Sequence, residues 1–127
     1  MKYEVSLPIL GFDTITAVEL IGEEGNSVST LRSPEDESLF LKIVSSDAFE
    51  HINFSIPKSI QTILDIDENS ETEIYFIITV TNPLEKSIIN INSPLVFNKS
   101  NGKMAQFVLE DESVGVVLLS NFSAQEE

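Results

Sequence analysis

The sequence has no cysteine and no tryptophan, a single histidine, His51, and only seven basic side chains against 21 acidic ones. Without cysteine there are no disulfides, thiolate metal sites or cysteine nucleophiles, and one imidazole does not make a histidine-rich metal cage. The formal charge of −14 repels phosphate backbones and anionic lipid headgroups alike, so direct nucleic-acid and membrane-surface binding are disfavoured. The glycines, Gly11, Gly22, Gly25, Gly102 and Gly115, are too dispersed to build a phosphate-cradling loop. Long hydrophobic runs are also missing. Stretches such as Val114 to Leu119 reach about a third of the ~20 residues that span a bilayer. The amino-terminal MKYEVSLPIL carries Glu4 and only a short apolar run, which is no secretory signal, and a cytoplasmic location is expected. Without export, the glycosylation-type triplets at Asn53, Asn98 and Asn121 read as coincidence.

What is present suits one folded unit. At 127 residues and 42% apolar composition the chain has the material for one core, here assigned to residues 1–122, with 123–127 as an acidic tail. Period-two alternation recurs nearly throughout. It predicts strands at Lys2 to Leu7, Asp13 to Leu20, Val28 to Arg32, Leu39 to Val44, Glu73 to Thr81, Ser87 to Asn92, Leu95 to Asn98, Met104 to Leu109 and Val114 to Leu119. In Glu73 to Thr81, Ile74, Phe76, Ile78 and Val80 share one face, and Glu73, Tyr75 and Ile77 the other. Between these stretches Pro57 suits the first turn of a helix, and Ile60, Ile63 and Leu64 fall on one helical stripe. A helix over Pro57 to Leu64 is expected, lying across an open end of the sheet system. The fold class is therefore all-β, mainly antiparallel: a small β-barrel-like or sandwich domain with one short helix near 57–64.

Chemistry is harder to find. Asp65 to Glu71 has oxygen ligands at alternate positions, like a calcium loop. The sixth position needs glycine and has Ser70, and the twelfth needs glutamate and has Phe76. His51, beside Glu50, is more simply a surface or capping residue than a base. The acids at Glu23 and Glu24, Glu35 to Glu37, Asp65 to Glu73 and Glu110 to Glu112 sit between apolar runs, where solvated charge costs least and nothing separates the pKa values of a catalytic pair. No cofactor or metal is expected, and no enzyme. Two stretches are unusual for a plain solvated surface. LPILGF, Leu7 to Phe12, crowds large apolar side chains around Pro8 and Gly11. In Glu85 to Asn98, Asn90 and Asn92 share a face, and Pro94 interrupts the strand, which marks either a sheet edge or a bulge. Core and corner packing would also explain both.

A short strand leading into LPILGF, then PLEKSIININSPLVFN and GKMAQFVL at Gly102 to Leu109, together resemble the flagellar assembly factor FliW family. Its members show a PILGF turn, an N-L-x-A-P-I-V-I-N stretch and G-x-Q-x-x-L, and the likeness runs in order from about Lys2 to Leu119. The chain departs from the pattern after the last turn, where Val114 to Phe122 replaces a tyrosine, a proline and basic residues. The resemblance implies a cytoplasmic, non-enzymatic, barrel-like protein. Its implied partners are flagellin before export and the RNA-binding translational regulator CsrA, which FliW antagonises, so that accumulated flagellin releases CsrA and lowers its own synthesis. An acidic protein suits a regulator whose RNA-binding face is basic. On that basis Asp67, Glu68, Glu71 and Glu73 are candidates for orienting CsrA, and Leu7, Pro8, Phe12, Asn90, Asn92 and Pro94 for a partner-binding corner. The alternative is a small β-sandwich binding a carbohydrate or a divalent cation through its asparagines and acids.

Overall fold

The computed structural model describes residues 1–22, 28–48, 55–79, 86–108 and 116–118. The strands are β1 (Lys2–Leu7), β2 (Ala17–Gly22), β3 (Val28–Arg32), β4 (Phe40–Ser45), β5 (Thr72–Thr79), β6 (Ile88–Asn98), β7 (Lys103–Gln106) and β8 (Val116–Leu118). A 3-10 turn, Ser46–Ala48, follows β4, and the helix α1 spans Lys58–Ile63. Strands pair in the order β5-β4-β3-β2-β1-β7-β6, and β5 pairs again with β6, closing a seven-stranded barrel with β8 added to β6. All pairings are antiparallel except β1 with β7. His51, the acids Glu23, Glu24 and Glu110 to Glu112, and the tail expected at 123–127 lie outside the described residues.

Alternation along the strands sorts side chains to two sides of the wall. Tyr3, Val18, Leu31, Ile43, Tyr75, Leu95, Phe97 and Met104 pack together inside. There Phe97 meets two tyrosines edge-on, Tyr3 at 4.9 Å and Tyr75 at 5.4 Å between centroids, a favoured arrangement of ring quadrupoles. The opposite parity runs outward. Register places Ile74, Val96, Ala105 and Leu7 side by side across β5, β6, β7 and β1, and Ile60 of α1 and Leu64 at its C-cap pack on this row with Phe107, Ile56 and Ile66. The helix thus covers the barrel's outer wall and not an open end, because that wall carries an apolar row needing cover. For the same reason both faces of β5 are shielded: Tyr75 and Ile77 join the interior cluster, while Ile74 lies beneath α1 and Phe76 is fully buried.

At six residues α1 is too short to stand alone, and its ends are fixed from outside. Pro57 carbonyl oxygen accepts from Ile60 and Gln61, each at 3.0 Å. At the other end Ile66 N–H donates to Gln61 O and Asp65 N–H to Thr62 O, with Asp65 at φ 53, the double bond pattern of a left-handed helix stop. Asn98 and Asn101 donate their side-chain amides to Leu64 O at 3.0 and 2.8 Å.

Two elements differ from expectation for identifiable reasons. The strand expected from Asp13 begins at Ala17, because Asp13 to Ile15 are taken up in a turn closed by Ile15 N–H on Phe12 O at 3.2 Å, and the Glu35 carboxylate takes the N–H groups of Thr16 and Ala17 at 2.7 and 2.9 Å. The edge-or-bulge alternative at Pro94 resolves as a bulge. Tyr75 pairs with Leu95 and Ile77 with Asn90, leaving Phe76 alone opposite Ile91, Asn92, Ser93 and Pro94. Around the bulge β6 is paired to β5 through both of its ends, to β8 through Ile88 to Asn90 and to β7 through Leu95 to Asn98.

Candidate partner-binding surface

The LPILGF corner is a tight turn held from several sides. Phe12 N–H donates to Ile9 O at 2.8 Å, and Gly11 between them adopts φ 90, a region open to glycine at little cost. Ile9 is buried and Phe12 half-buried against the interior cluster. Leu7 goes the other way, under α1. The residues left facing solvent are Pro8, Leu10 and Gly11, Leu10 being 64% exposed.

Gln106 joins this corner to the β6 bulge. Its Oε1 accepts from Leu10 N–H at 2.7 Å and its Nε2 donates to Ser93 O at 3.1 Å, while Phe107 N–H reaches Pro94 O at 3.2 Å. The stretches that looked unusual in the sequence therefore form one structure. Pro94 itself is buried, and Asn90 and Asn92 are half-buried, Asn90 Oδ1 accepting from Asn92 N–H at 3.0 Å. Past Gln106, Val108 is 60% exposed. Gln106, Leu10 and Val108 were not singled out from the sequence. A lone amide in the apolar run MAQFVL was the available signal, since a buried polar side chain needs partners.

The acidic turn splits in two. Asp67 and Glu68 are solvated, and Asp67 shapes the turn by accepting from Asn69 N–H at 2.8 Å and Ser70 Oγ at 3.2 Å. Glu71 keeps its carboxylate in solvent while its backbone is pinned, N–H to Ser100 Oγ at 2.9 Å and O to Lys99 N–H at 2.8 Å. Glu73 differs, being half-buried, accepting from Tyr75 OH at 2.7 Å and pairing with Lys99 at 3.0 Å. Burial pushes its carboxyl up, but the hydrogen bonds from Tyr75 and Lys99 outweigh that and hold it below the ordinary value. Glu73 is thus part of the barrel's closure. Asp65, at the head of the turn, pairs with Lys103.

Corner and turn flank the same helix: Leu7 and Phe107 reach its packing cluster from one, Ile66 from the other. A groove of about 440 Å³ runs between helix and turn, lined by Lys58, Gln61, Thr62, Asp65, Ile66 and Asp67. Asn98 of the second glycosylation-type triplet is buried and bonded to backbone. Among the described residues no three acids or histidines stand close enough to hold a metal, and no helix is long and apolar enough to cross a membrane.

Residues 2–118 match the family model described as FliW protein. Among curated relatives, the flagellar assembly factor FliW of Sulfurimonas denitrificans is 33% identical over 113 residues, covering 89% of each chain. That of Helicobacter pylori is 36% identical over 114 residues, covering 86% of this chain and 82% of its own. A crystal structure of the flagellar assembly factor FliW superimposes with a TM-score of 0.78 at 20% identity, covering 87% of this chain and 78% of that one, which confirms the fold. With a family model spanning almost its whole length and relatives this similar, the chain belongs to the FliW family of flagellar assembly factors.

Proposed function

We propose that this protein binds flagellin and the translational regulator CsrA by turns in the cytoplasm, coupling flagellin synthesis to filament assembly without catalysing a reaction. The observation that supports the reading is the pairing of two dissimilar surfaces around α1: a rigid apolar corner displaying Leu10 and Val108, and a solvated turn displaying Asp67, Glu68 and Glu71. Leu10 N–H is anchored to Gln106, two residues before Val108, so both exposed apolar side chains offer area that a bound partner would remove from water. The acidic turn supplies long-range attraction and orientation for a basic regulator, and apolar contacts supply the hold.

The test is titration of the purified protein with flagellin and with CsrA across a salt series. Changing Asp67, Glu68 and Glu71 together to lysine is expected to weaken CsrA binding about tenfold at low salt and to flatten its salt dependence, as exposed pairs contribute ~0.2–1 kcal/mol each. Glu73 is left out because its pairing with Tyr75 and Lys99 would confound stability with binding. Unchanged CsrA affinity at every salt concentration would remove the electrostatic half of the reading, and recovery of neither partner would remove all of it.

A further inference from the structure

Asn101 is the one asparagine in the chain followed by glycine, and that pair is chemically labile. The backbone nitrogen that follows an asparagine can attack its side-chain carbonyl, and glycine allows the approach best because it has no β-carbon and the freest backbone. In this fold the pair lies in the turn between β6 and β7, and α1, β6 and β1 each hold it. Asn101 Nδ2 donates to Leu64 O at the C-cap of α1 at 2.8 Å, and its Oδ1 accepts from Lys103 N–H at 3.0 Å. Gly102, at φ 75, donates its N–H to Asn98 O at 2.9 Å, and its carbonyl accepts from Glu4 N–H at 2.7 Å. The nitrogen that would attack and the amide that would leave are therefore each committed to a partner.

We propose that Asn101 is a site of spontaneous deamidation that the docked helix keeps closed, and that loss of its amide weakens that docking irreversibly. In the reaction the Gly102 nitrogen gives its proton to hydroxide and bonds to Asn101 Cγ. The Cγ–Nδ2 bond breaks, and the departing nitrogen takes a proton from water and leaves as ammonia. Water then opens the succinimide at either carbonyl, leaving aspartate or isoaspartate, so the net change is a water consumed and an ammonia released. The turn must open first, because the bonds of the amide and of the Gly102 N–H have to be given up. The products do not restore it. A carboxylate at position 101 has no proton for Leu64 O and sets acceptor against acceptor, one residue from Asp65. The isoaspartate form also lengthens the main chain inside a turn whose ends, Asn98 and Lys103, are paired across β6 and β7. Both candidate binding surfaces flank α1, so the change reaches packing that they share.

The experiment follows the full chain by peptide mapping and mass spectrometry in mildly alkaline buffer, with and without enough guanidinium chloride to unfold it. In the unfolded chain Asn101 is expected to lose its amide before any other asparagine. In the folded chain its rate should be at least about tenfold lower, set by local opening of the turn. Ile60→Val trims the packing of α1 and should raise the folded-state rate several-fold. Leu31→Val, in the barrel interior, should lower the unfolding midpoint and leave that rate unchanged. Asn101→Asp, which installs one product directly, should unfold at a lower midpoint than the parent. Equal rates in the two conditions, another asparagine reacting first in the unfolded chain, or an Ile60→Val rate no faster than the parent's would each overturn the proposal. So would acceleration by Leu31→Val as large as by Ile60→Val, or an Asn101→Asp chain as stable as the parent.

Discussion

Gln106 uses both ends of its amide in a site only 7% exposed, one on Leu10 and one on Ser93. Replacing it with leucine keeps the bulk and strands a backbone N–H and a carbonyl, so Gln106→Leu should cost ~1–3 kcal/mol in urea unfolding. Glu73 illustrates a different coupling. Its carboxyl is held below its ordinary value, so the ionised form stabilises the fold above the unfolded-chain pKa of ~4.3, and that stabilisation is lost as pH falls through the lower folded value. Glu73→Gln should therefore melt below the parent at neutral pH and converge with it as pH falls through the lowered folded value. An offset that stays constant with pH would show that Lys99 and Tyr75 do not favour the charged form. Neither residue's role was legible from spacing, because both partners of Gln106 and one partner of Glu73 lie in distant parts of the chain.

At the scale of elements, the helix shows how much local pattern conveys. Ile60, Ile63 and Leu64 were expected on one stripe, and Ile60 and Leu64 are indeed buried at 6% and 0% exposure, whereas Ile63 is 38% exposed. Leu64→Ala should cost ~2–5 kcal/mol, and Ile63→Ala far less, with urea unfolding as the readout. Equal costs would mean that α1 packs in a different orientation. Strand boundaries were readable where alternation continues unbroken, as in β1 and β3, which match expectation at both ends. They failed where a distant group intervenes: Glu35 delays the start of β2 by claiming its first donors, and Gln106 helps satisfy the bulge that lets Pro94 sit inside a doubly paired strand.

For the molecule as a whole, the relevant quantities are closure and charge. Parallel pairing of β1 with β7 completes the barrel, joining residues from opposite ends of the chain, so it depends on every intervening strand taking its place. The excess of 21 acidic over seven basic side chains works against compaction through mutual repulsion. Raising salt from about 20 mM to about 0.5 M should accordingly raise the unfolding midpoint, since screening relieves the repulsion over distances beyond ~10 Å more than it weakens the few close ion pairs. A falling midpoint would show that the pairs Arg32–Glu19, Lys99–Glu73 and Lys103–Asp65 outweigh the global term.

Periodicity by itself determined the all-β character, the position of the helix in the chain and most strand positions, because alternation is a local property that a residue's immediate neighbours express. Composition determined the negative field. Only the tertiary structure decided which face of each strand looks inward, that the helix covers the outer wall, and that Leu10 and Phe40 stand in solvent while Pro94 and Glu73 do not. Burial depends on what the rest of the chain brings to each surface, and a barrel wall with apolar residues on both sides gives no sign in one dimension of which side closes upon itself.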